Sequence, residues 1–227
     1  MSDFYKTAKV TSEYVEPQVR TRIESFLRYT CLAFIIISII VFIDRIYRLE
    51  RAFNSSADAT FIGYDRTTQG NWKSNYGSLE SNLLQNISQR NIDDRFKDFA
   101  VSIKQGQPAV WNIHTDDIRV LENLHWWNKR SASCITADTI QLRILEMTSK
   151  THRWSFYFLD YDRIGRKLSV EIRNISDGKL VDQQTIDNFA EGVYLTWDIK
   201  GSFDVIIKAT QGLNPVLSAW FVDESAQ

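Results

Sequence analysis

The residues able to do chemistry in this chain are few and widely spaced. Asp65, Asp160 and Asp162 are the carboxylates whose neighbourhoods suggest a cation. Calcium takes six to eight oxygen ligands, so these three make at most the beginning of a calcium site. Asp160 and Asp162 alternate near a strand end and are expected on opposite faces, with Arg163 or Arg166 as an ion-pair partner. A pair of catalytic carboxylates needs one raised pKa in an apolar cleft, and no such setting is visible around them. His114, His125 and His152 share no i, i+4 spacing and no H-E-x-x-H context, so no zinc site is expected. The chain has no G-x-S-x-G elbow, no phosphate loop and no G-x-G-x-x-G. Its two cysteines cannot meet, because Cys31 lies in an apolar run and Cys134 in the domain that follows. Cys134 reads as a buried strand residue rather than a nucleophile. The expectation is a non-enzymatic protein with no resident cofactor.

The segment His125-Trp126-Trp127, followed by Lys129 and Arg130, is the best candidate for partner or ligand contact. Adjacent tryptophans in a strand point to opposite faces, so one or both can fill the core. In a loop both can be exposed, where tryptophan stacks on sugar rings, anchors interfaces and sits at bilayer headgroups. Net charge is −1, too close to neutral for nucleic acid to be a main partner.

These residues must be positioned by two very different parts of the chain. Tyr29 to Ile43 is a run of fifteen residues without a charge, YTCLAFIIISIIVFI, apolar on every side of a helix. Fifteen helical residues rise about 22 Å, and apolar flanks with snorkelling Arg28 and Arg45 extend the span toward the roughly 30 Å of a hydrocarbon core. A single membrane-anchor helix is expected over residues 17–52, starting at Pro17, after a tail over 1–16. Arg20, Arg22 and Arg28 precede the run and Arg45, Arg48 and Arg51 follow it, so charge leaves the orientation open. Residues 53–60 read as a linker.

Residues 61–227 read as one all-β domain. Residues 79–97 have a mixed pattern, a short helix or a loop, and from Phe99 the period is two. In GVYLTWDIKG, Val193, Leu195, Trp197 and Ile199 share one face; KLSVEI and TIQLRI repeat the pattern. RWSFYFLDY, FDVIIKAT and VLSAWFV are apolar on both faces, as in central strands. Short strands broken by DRIG, SDGK and QGLNP predict a β-sandwich or jelly roll rather than βαβ units.

Asp65, Thr68, Gly70 and Trp72 form D-x-x-T-x-G-x-W, followed by Tyr76-Gly77. The expected role is structural: Gly70 adopts a backbone conformation other residues avoid, Asp65 and Thr68 tie down a turn, and Trp72 plugs one end of the sandwich. With TDDIRVLE at 115–122, LDYDRIGR at 159–166, GVYLTWD at 192–198 (Trp197 within it) and NPVLSAWF at 214–221, the motif resembles the galactose-binding-like jelly-roll domains of bacterial secreted and surface proteins, over about residues 59–222. The loop after Gly77 and the bulky ENLHWWNKR segment depart from that pattern. The resemblance implies an extracytoplasmic domain and a cytoplasmic N-terminus at the cell (inner) membrane, with carbohydrate binding or adhesion as a role. The direct fusion to an anchor points instead to an accessory or scaffolding subunit. The expected partners are the lipid bilayer, other integral membrane subunits and a glycan.

Overall fold

The structure, a computed structural model, describes residues 17–84, 98–123 and 130–225, with side chains from residue 22 onward. The chain divides into two compact units, Met1–Tyr47 and Arg48–Gln227. Helix α1, Pro17–Asn54, holds 38 residues and is about 57 Å long. From Arg22 to Asn54 it is long and apolar enough to cross a membrane. Two polar side chains of its apolar stretch bond back into the helix: Thr30 Oγ1 donates to Leu27 O at 2.9 Å and Ser38 Oγ to Phe34 O at 2.8 Å. Such internal bonding suits a segment that has no water to bond.

The helix runs two residues beyond Ala52, and strand β1 begins at Asp58. The expected eight-residue linker is therefore a three-residue joint, and it is tied down. Ser55 Oγ donates to Ala52 O (2.9 Å) and accepts Ser202 N (3.0 Å), and Ala57 N donates to Asn174 Oδ1 (3.3 Å). Ala52 itself is buried.

The second unit is built from two antiparallel sheets. One sheet has the order β1–β8–β5–β11–β2, from Asp58–Asp65, Val193–Lys200, Thr151–Phe158, Ala219–Glu224 and Glu80–Leu83. The other centres on β4, Arg130–Glu146. Strand β3, Phe99–Thr115, pairs along one edge of β4. Two strands share its other edge: β10, Val216–Leu217, and β9, Phe203–Gln211, which leads on to β6, Lys167–Asn174, and β7, Leu180–Ile186.

The period-two strands meet as their patterns predict. Ile140, Leu142 and Ile144, Leu168, Val170 and Ile172, and Val193, Leu195, Trp197 and Ile199 fill one core between the sheets, with Trp154, Phe156 and Phe203. The stretch VLSAWFV is not one strand. It changes sheets at Ser218, so Val216–Leu217 pair with β4 while Ala219–Glu224 enter between β5 and β2. Within 79–97, Glu80–Leu83 is a strand, and residues 85–97 lie outside the described residues.

Candidate functional site

A second apolar cluster covers the outer face of the five-stranded sheet. Tyr157, Tyr194 and Phe221 alternate with core residues along their strands and so point away from the main core. Trp72 lies on them, 5.1 Å from Phe221 between ring centroids, and its Nε1 donates to Glu122 O at 2.9 Å. Trp72 thus roofs the outside of a sheet, rather than plugging the end of the sandwich.

The loop that delivers Trp72 is shaped by Asp65. Its Oδ1 accepts Thr67 N (2.7 Å), Thr67 Oγ1 (2.7 Å) and Thr68 N (3.1 Å), and its Oδ2 accepts Tyr76 OH (2.8 Å). Burial opposes the charge of Asp65, but the hydrogen bonds from Thr68 and Thr67 outweigh it and hold the pKa well below the ordinary carboxylate value. Tyr76 stacks on Tyr194 at 4.1 Å. Gly77 N and Ser78 N close the turn onto Asp223, at 3.0 and 2.6 Å. Gly70 is required for a reason other than the expected one. A Cβ there would collide with the backbone carbonyls of Ile118 and Val120, so the glycine permits close approach rather than a special conformation. Gly70 N bonds Ile118 O at 3.0 Å, and Glu122 N bonds Gly70 O at 3.1 Å. Trp197 is a core residue whose Nε1 donates to Asp182 Oδ2 at 2.6 Å.

Asp160 and Asp162 do not point to opposite faces. Both follow the end of β5, and both carboxylates converge on Arg166 Nη1, Asp160 at 2.5 Å. A loop is free of the strict alternation that a strand imposes, which is why the spacing misleads. Asp160 Oδ2 also accepts Gly165 N and Arg166 N, and Arg166 reaches Asn214 O and Oδ1. The hydrogen bond from Arg166 holds Asp162 below its ordinary pKa. Arg163 pairs instead with Glu191 at 2.8 Å. All three carboxylates offered for calcium therefore face N–H, O–H or guanidinium donors, the wrong polarity for a cation.

Of the contact segment, His125, Trp126, Trp127 and Lys129 lie outside the described residues. Arg130 is turned inward: its guanidinium bonds Val120 O, Asn71 Oδ1 (2.6 Å) and Glu122 Oε1 (3.0 Å). Glu122 and Arg130 form a bridge, which brings the two ends of the segment together. His152 is buried with Nδ1 2.8 Å from Glu146 Oε2, and His114 is exposed. Among the described residues no group of three His, Cys, Asp or Glu could hold a metal ion. Cys134 is fully buried, and burial pushes its thiol up to about 12.

No family model matches the chain, and no curated protein or solved structure matches it.

Among the described residues, two of the clefts on the β domain stand out. One, about 550 Å³, lies on the outer face of the five-stranded sheet, where Tyr64, Asp65, Tyr76, Arg153, Asp223 and Glu224 line it. Its charged groups are largely engaged: Arg153 grips Asp198 through two bonds of 2.8 and 2.9 Å. The other, about 990 Å³, sits where β3 and β4 part company, between Lys104, Gln105 and Gln107 on one side and Thr136, Asp138 and Asn214 on the other. Sequence reasoning missed this second cleft. Its only trace is Gly106 and Pro108 inside an otherwise strand-like run.

Proposed function

We propose that this chain is a single-pass membrane protein whose β domain acts as a non-enzymatic accessory or scaffolding subunit of a membrane assembly. The N-terminal tail is cytoplasmic and the β domain, read as a jelly roll, is extracytoplasmic at the inner membrane. The observation that carries the proposal is the passage from a spanning-length helix to the first strand through only three residues, Ser55–Ala57, each of which is held. Ser55 and Ala57 are hydrogen-bonded into the β domain, and the Ser56 carbonyl packs beneath Gly201. A joint this short and this well bonded supports a module that works with other membrane proteins rather than at the end of a long free tether. The sheet change at Ser218 supports the jelly-roll reading. Residues of catalytic type support the non-enzymatic one, because Asp65, Asp160, Asp162 and Glu146 are each engaged by the protein's own donors.

The test is purification of the full-length protein in mild detergent, with mass spectrometry of what accompanies it. A stoichiometric set of other integral membrane proteins is expected; a protein that emerges alone refutes the assembly reading. Protease treatment of spheroplasts should digest the β domain from outside, and protection until the inner membrane is breached would reverse the orientation.

A second reading, a membrane-tethered carbohydrate-binding or adhesion module, is favoured by the outer-face cleft. Tyr76 offers aromatic surface beside the polar groups of Asp65 and Arg153. Retention on immobilised glycans that is lost in Arg153→Ala, with an unchanged melting curve, would establish it.

A further inference from the structure

Helix α1 runs unbroken from Pro17 to Asn54, so the charges flanking its apolar run are held at fixed depths along one axis. Glu24 and Asp44 are the nearest carboxylates on either side of the run. They stand twenty residues apart, a rise of about 30 Å, which matches the thickness of a hydrocarbon core. Between them, Ser25–Ile43 holds one charge, that of Arg28. A window of the same length centred on the uncharged run, residues 27–45, holds three: Arg28, Asp44 and Arg45. The apolar stretch is unburied by the rest of the chain, which leaves its whole circumference to lipid.

The polarity of a helix decides which arginine can leave the hydrocarbon. Every Cα–Cβ bond of an α-helix tilts toward the N-terminus, and long side chains follow that tilt. Arg28 lies near the N-terminal end of the apolar stretch, so its tilt carries the guanidinium outward, toward the headgroups. Arg28 is exposed and has no side-chain partner among the described residues. At the other end the same tilt turns Arg45 back toward the middle of the bilayer. Asp44 beside it has a side chain too short to regain the headgroups from within. Sinking the N-terminal end by one turn is therefore cheap, and sinking the C-terminal end by one turn is not.

We infer that α1 sits asymmetrically in the bilayer: Ser25–Ile43 crosses it, Arg28 lies within that span with its guanidinium among the lipid phosphates of the N-terminal leaflet, and Asp44 lies outside. A guanidinium presents parallel N–H donors that match a phosphate. The helical residues from Asp44 to Asn54 then stand clear of the hydrocarbon over about 16 Å, with Arg45, Tyr47 and Arg48 at headgroup depth. The inference rests on the single-pass reading and adds which residues set the depth of the helix and what Arg28 contacts.

The test uses the full-length protein in phosphatidylcholine vesicles, with Cys31→Ser as background and a water-soluble maleimide admitted to both faces. Cys134 is kept, because it is fully buried. Phe26→Cys and Ile46→Cys each lie three residues outside the uncharged run, so a centred helix labels them alike. The asymmetric setting labels Ile46→Cys at least tenfold faster, because a thiol in apolar surroundings resists ionisation. Arg28→Lys should leave Phe26→Cys slow, since a lysine also reaches the phosphates. Arg28→Asp should speed it at least tenfold, since a carboxylate at that depth does not reach them. An unchanged melting curve of the β domain is the folding control for each variant. Equal rates at the two positions, a faster Phe26→Cys, or a slow Phe26→Cys in Arg28→Asp overturns the proposal. Ile37→Cys, in the middle of the run, separates this failure from that of the spanning reading. If it is protected while Phe26→Cys and Ile46→Cys label alike, the helix spans and the asymmetric setting falls. If it labels as fast as Ile46→Cys, the spanning reading falls and the setting with it.

Discussion

Replacing Arg166 with Met should be among the most damaging single changes to the β domain that leave its backbone conformations available. The Arg166 and Asp160 side chains are 4 % and 3 % exposed, so the substitution leaves a buried carboxylate without its guanidinium. Removing one partner of a buried pair costs about 3–5 kcal/mol. Asp160 Oδ2 keeps the Gly165 and residue-166 backbone N–H groups, which places the expected cost near the low end, about 3 kcal/mol. For a domain of this size that is a fall in Tm of roughly 6–12 °C. The measurement is thermal unfolding of the full chain in detergent, followed by near-ultraviolet circular dichroism. Arg163→Met is the control, because its ion pair with Glu191 is 57 % and 58 % exposed; it should change stability by no more than about 1 kcal/mol. Adding Asp160→Asn to Arg166→Met should restore part of the loss, since no uncompensated charge then remains. A fall in Tm for Arg166→Met below about 3 °C, or one matched by Arg163→Met, would refute the reasoning.

Other expectations concern single groups. Gly70→Ala drives a methyl into the carbonyls of Ile118 and Val120 and should cost more than about 2 kcal/mol in urea unfolding. Asp65, Asp117, Asp162, Glu171 and Asp198 all have folded pKa values below their ordinary ones. The unfolded chain then binds protons first, so their contribution is complete above the ordinary carboxylate range and is lost as pH falls through the folded values. Tm measured from pH 7 downward should stay flat to about pH 5 and then drop, with Asp65→Asn blunting the drop. With Cys31→Ser as background, the Cys134 thiol, pushed up to about 12 by burial, should resist maleimide at neutral pH and react once urea unfolds the domain; rapid labelling of that folded protein would show that the site opens.

How much could be read in advance depends on how local the cause was. The all-round apolar run at Tyr29–Ile43 and the alternation of Val193, Leu195, Trp197 and Ile199 are local signals, and both became the elements they suggested. The turn-forming role of Asp65 was also legible, because its partners Thr67 and Thr68 are two and three residues away. The need for Gly70 was not legible in kind, because what crowds it comes from Ile118 and Val120, nearly fifty residues later. The convergence of Asp160 and Asp162 on Arg166 depends on the chain leaving the strand before Asp160. The division of VLSAWFV at Ser218 depends on which strands are free to receive each half, and the cleft beside Gly106 on a register that only β4 and its other partners fix.

The sheet change at Ser218 also bears on timing. Ala219–Glu224 form a strand with neighbours on both sides, β5 and β2, while the two residues before Ser218 complete the edge of β4. Strand β1 likewise waits for β8, whose pairing residues lie some 130 to 140 positions later. A ribosome that has made the apolar helix and almost all of the β domain has therefore still not made a foldable unit. The helix can partition into lipid early, within the first quarter of synthesis, but one sheet is incomplete until the chain has passed Leu217 and the other until it has passed Glu224. Until then the bare strands need shielding from each other and from their neighbours. For this protein the vulnerable interval is set by distance along the chain rather than by any weakness in the finished fold.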